Sequence, residues 1–142
     1  MFNLIGDPLL RLRRPKPVEL VAPSEISPGG TLAVAGSSPI DGRALVELVV
    51  PRDRLVMGWF RRSELPRTPE DWASFQEVYA KANDRRLAWA ETEVRGGRFA
   101  ATLAVPEDAR GSCCIRVFVE GREDFGLAAA ETTAKPVALA RK

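Results

Sequence analysis

From Arg98 to Val105 the chain alternates strictly, with Phe99, Ala101, Leu103 and Val105 on one face and Ala100, Thr102 and Ala104 on the other. A period of two is the signature of a half-buried strand. The same grammar recurs over Ser112–Glu120, where Cys113, Ile115, Val117 and Val119 share a face opposite Cys114, Arg116 and Phe118. Val18–Val21, Thr31–Ala35, Arg43–Val50, Leu87–Val94 and a last run within Phe125–Thr133 read as further strands. The Ala44–Val50 run is apolar enough for a central strand, and Pro51 ends it. Eleven glycines and eleven prolines fall as punctuation between these runs, at Ser27-Pro28-Gly29-Gly30, Asp41-Gly42, Gly96-Gly97 and Pro106 to Gly111. About seven short strands with turn signals between them predict an all-β, immunoglobulin-like β-sandwich.

Residues 51–86 break the pattern. Thr68 is a helix-capping residue, Pro69 suits the first helical position, and Glu70 and Asp71 favour the positive end of the helix dipole. Trp72, Phe75, Tyr79 and Ala82 then recur at helical spacing, so the pattern predicts one helical insertion over about residues 69–82 with an apolar stripe. Together with Trp59 and Phe60 this stripe either covers an open edge or face of the sandwich or forms a surface for a protein or carbohydrate ligand.

The chain of 142 residues is the size of one domain and large enough to bury a core without disulfides or metal. It carries no histidine, which removes the commonest general base and metal ligand and every Ser-His or Cys-His dyad. Cys113 and Cys114 are adjacent, so in a strand they point to opposite faces and cannot readily bond to each other. Neither has an imidazole to activate it. Glu91 and Glu93 share a face at a spacing that could touch a hard cation, yet no spaced acidic loop accompanies them. No Gly-rich stretch has phosphate-loop context, so neither a cofactor nor a metal is expected. The net charge is +2, and the basic groups at Arg11 to Lys16, Arg61/Arg62 and Arg85/Arg86 read as solvated surface, not as a nucleic-acid footprint. No apolar run approaches the ~20 residues of a membrane span.

The opening Phe2-Asn3-Leu4-Ile5-Gly6-Asp7-Pro8-Leu9-Leu10-Arg11-Leu12 resembles the segment that closes the catalytic domain of gingipain-type cysteine peptidases and leads into their C-terminal immunoglobulin-like domain. Gly97–Pro106 with Gly111–Val117 similarly resembles the late hairpin of bacterial immunoglobulin-like modules. The resemblance implies that residues 1–16 are a remnant or linker from a preceding domain, 17–137 the sandwich with residues 51–86 inserted, and 138–142 a flexible tail. It implies a non-catalytic accessory domain that stabilises or positions an upstream catalytic domain of the same polypeptide, and a secreted or cell-surface location. Phe2, Leu4, Ile5, Leu9, Leu10 and Leu12 are then the interdomain contacts. No catalytic residue carries over, because the parent family's Cys-His dyad has no counterpart here. The alternative is a stand-alone adhesion or ligand-binding module that uses Trp59, Phe60, Trp72, Phe75 and Tyr79.

Overall fold

The structure, a computed structural model, describes residues 13–51 and 66–135. Seven strands coincide with the alternating runs: β2 (Glu19–Val21), β4 (Thr31–Ser37), β5 (Gly42–Val49), β6 (Arg86–Val94), β7 (Arg98–Ala104), β8 (Gly111–Glu120) and β9 (Phe125–Ala134). Two further strands of two residues each, β1 (Lys16–Pro17) and β3 (Glu25–Ile26), lie parallel to β9 at opposite ends of it. Pro17 is tolerated there because β1 is an edge.

The large sheet runs β1-β9-β8-β5-β6, with β3 also on β9, and the small sheet runs β2-β4-β7. The chain is therefore an all-β sandwich, and β5 is central as its apolar run predicts. Two of the loops at which the chain changes sheets, β4 to β5 and β6 to β7, hold each other. Ser38 N–H donates to the Gly97 carbonyl at 2.9 Å, and Gly97 N–H donates to Asp41 Oδ1 at 2.9 Å.

The inward residues of the two sheets form one core. Leu32 and Val34 of β4 and Phe99 and Leu103 of β7 meet Val46 and Leu48 of β5 and Ile115, Val117 and Val119 of β8, all of them buried. The strict alternation of β8 is thus an alternation of core and outside. Cys113 is buried in this core and Cys114, one residue on, is half-buried on the far face.

The predicted helix is α1 (Pro69–Asn83). Its start is a reciprocal capping box: Asp71 N–H donates to Thr68 Oγ1 at 3.2 Å, and Thr68 N–H donates to Asp71 Oδ2 at 3.1 Å. The Arg67 and Thr68 N–H groups hold the Asp71 carboxyl below its ordinary range. At the other end Arg86, through its side chain and its N–H, holds the Asp84 carboxyl down to about 2. Both folded-state values are depressed. What these carboxylates contribute is therefore present above the unfolded pKa near ~4 and is lost as pH falls through the folded values. Acidification from about pH 5 towards about pH 2 is expected to loosen both ends of α1 before the core strands, read as amide exchange of Asp71 and Asp84 against Ile115. Uniform protection of the helix ends down to about pH 2 would contradict this assignment.

Candidate docking face

Alternation along the large sheet puts a second set of side chains on its outer surface, and strand register arranges them in rows. Leu45 of β5 stands opposite Phe118 of β8, and Phe118 stands opposite Leu127 of β9. One row further, Trp89 of β6, Glu47 of β5, Arg116 of β8 and Ala129 of β9 follow in order. Period two would place polar groups here, yet Trp89 is 56% exposed, Phe118 38% and Leu127 48%. Phe118 also packs against Phe125, with ring centroids 6.0 Å apart.

A trough crosses this face. Its first part, of about 530 Å³, is floored by Phe118, Leu127 and Ala129 and bounded by Glu47 and Arg116. The second part, of about 380 Å³, shares Glu47 and Arg116 and is closed by Ala80, Asp84, Arg85 and Arg86, where α1 gives way to β6. Arg116 Nη2 donates to Glu47 Oε2 at 2.8 Å, and Glu47 is mostly enclosed while Arg116 is partly exposed. Arg86 donates to both Asp84 carboxylate oxygens at 2.8 Å. Arg85 is half-buried and has no ion-pair partner among the described residues.

The helix stripe departs from one of its two readings. Trp72 is 53% exposed, Phe75 37% and Tyr79 66%, so among the described residues the stripe does not cover the sandwich. Helical periodicity fixes which residues share a face but not what that face meets. Trp72 and Phe75 lie edge to face, 6.0 Å apart at 84°. That geometry offers an apolar knob and not the flat platform on which a sugar stacks. Trp59 and Phe60 lie outside the described residues, as do Phe2, Leu4, Ile5, Leu9, Leu10 and Leu12 and the side chain of Ala82.

The groups considered for chemistry are placed apart or already engaged. Glu91 lies 3.6 Å from Arg43, which it shares with Glu120, and Glu93 pairs with Arg95, so both carboxylates of that face are already beside a guanidinium. Among the described residues no three His, Cys, Asp or Glu side chains converge as metal ligands would. Burial pushes the Cys113 thiol up, which disfavours the thiolate. A disulfide-exchange reagent is therefore expected to label Cys114 in the folded chain and Cys113 only on unfolding. Equal labelling rates would contradict the burial.

The outer-face residues were missed as a site in the sequence, although the signal was there. Phe118, Trp89 and Leu45 are apolar residues at positions of outward parity. No family model matches this chain, and no curated protein matches it. Among solved structures the chain is similar to the human F-spondin reeler domain, with a TM-score of 0.47 and 12% identity over 92% of this chain and 100% of that one.

Proposed function

We propose that this chain is a non-catalytic accessory domain that packs, through exposed apolar surface, against a catalytic domain of the same polypeptide. The resemblance of residues 2–12 makes that partner a gingipain-type cysteine peptidase. The observation that carries the reading is the exposure of Trp72, Phe75 and Tyr79 on a well-capped helix that has no extensive contact with any strand among the described residues. Contiguous exposed apolar surface on a folded domain marks a place where another molecule sits. The non-catalytic part rests on side-chain chemistry: the sequence has no histidine, and Cys113 is buried with a raised pKa.

The test is addition in trans. At about a hundredfold excess over Kd, a docked partner stabilises by about 2.7 kcal/mol, enough to raise the melting temperature of the isolated peptidase domain by several degrees. Trp72→Ala is expected to remove most of that rise while changing this domain's own stability by about 0.5 kcal/mol or less, because Trp72 is already half in solvent. No rise at saturation would overturn the reading.

A free-standing protein-binding module is the second reading, and the same exposed stripe favours it. The two part on the length of the native polypeptide. A band at 15.6 kDa in source cells supports the free-standing module. A band several times larger, with upstream peptides from a peptidase domain, supports the accessory domain.

A further inference from the structure

The trough on the large sheet has an order to its chemistry. It begins on an apolar floor at Phe118, Leu127 and Ala129, passes the Glu47–Arg116 pair, and ends at Arg85 and Arg86. Four adjacent strands, β9, β8, β5 and β6, carry it. Three interstrand spacings make its length about 14 Å, the reach of about four extended residues.

The charges at its far end do not balance. Arg116 is neutralised by Glu47 and Arg86 by Asp84, which among the described residues leaves Arg85 as the uncompensated cation of the corner. Arg116 Nε is buried and has no acceptor among the described residues. The middle of the trough presents the Glu47 carboxylate beside the partly exposed Arg116 guanidinium. A peptide group supplies the complement to both, an N–H for Glu47 and a carbonyl for Arg116. An acyl chain would have to strip water from both without replacing a hydrogen bond.

We propose that the trough seats an extended segment of a partner polypeptide, with an apolar side chain over Phe118 and Leu127 and, about three residues along, a carboxylate at Arg85. This rests on the docking reading above and adds the chemistry of the partner.

The probes are acetyl-Leu-Ala-Ala-Glu-amide and its Lys counterpart, titrated into the full chain labelled with nitrogen-15. The Glu peptide is expected to bind with Kd on the order of 1 mM, to shift the amides of Phe118, Leu127 and Ala129, and to exceed the Lys peptide by about tenfold. In Arg85→Glu the preference should invert. Arg85 serves the fold through its backbone carbonyl, which accepts from Val50 N–H at 3.0 Å, and its side chain makes no hydrogen bond or ion pair among the described residues, so the variant is expected to fold. Leu127→Lys, at an exposed position, should weaken both peptides if the apolar end is placed correctly.

Equal affinities, no shift up to about 10 mM peptide, or binding of decanoate in place of the peptides would overturn the proposal. The in-trans melting shift is scored separately. If the peptidase domain is stabilised and the peptides do not bind, this inference fails and the accessory reading stands.

Discussion

Gly42→Ala is expected to cost about 3 kcal/mol or more and to lower the melting temperature by about 10 °C, whereas Gly96→Ala costs about 1 kcal/mol. Both glycines have positive φ, 154° at Gly42 and 58° at Gly96, so the dihedral alone does not separate them. Space does. A Cβ on Gly42 would stand 2.1 Å from the Glu120 carbonyl oxygen and 3.0 Å from its carbon, whereas one on Gly96 meets nothing within 4 Å. The obstacle at Gly42 is backbone, and backbone that is pinned. Arg43 pairs with Glu120 in the β5–β8 ladder, and their side chains are joined at 2.9 Å. Relief would require separating the first residues of β5 from the last of β8, both central strands. Urea unfolding of the two variants decides it, since similar losses would mean that the ladder gives way and that the contact does not govern Gly42.

The same contrast between local and distant causes explains what the sequence discloses. Burial alternation in β7 and β8 is written residue by residue, because each side chain on a strand must choose the core or the outside. The strands were legible for that reason, as was the start of α1, whose capping box is made by Thr68 and Asp71 three residues apart. Strands β1 and β3 were not legible, because two residues carry no period. Their pairing is set by where β9 lies, not by their own composition. Exposure of Trp72 and Tyr79 was equally hidden, since an apolar stripe reads the same whether it is covered or waiting to be. The outer trough is a product of register. Glu47 and Arg116 are 69 residues apart in the chain, and only the β5–β8 pairing brings them to 2.8 Å. Arg85 and Arg86, which composition assigns to solvated surface, become the trough's far end because α1 stops beside them.

If the outer face serves docking and not folding, truncating it should be cheap where truncating the core is not. Leu48→Ala is expected to cost about 3–4 kcal/mol, the range for a fully enclosed leucine that leaves a cavity behind. Leu127→Ala, at a side chain 48% exposed, should cost about 1 kcal/mol or less. Both leucines are in the same sheet, on β5 and β9, so strand propensity and ladder hydrogen bonding are closely matched and side of the sheet is the difference. Denaturant midpoints at unchanged slope measure the two losses directly. A loss at Leu127 as large as that at Leu48 would mean that the Phe118–Leu127 surface is packed structure, and the trough would lose its apolar end. A small loss leaves a half-exposed leucine, two phenylalanines and a tryptophan on one sheet face that the fold does not need there. Contiguous exposed apolar surface that stability does not require marks a place where another molecule sits.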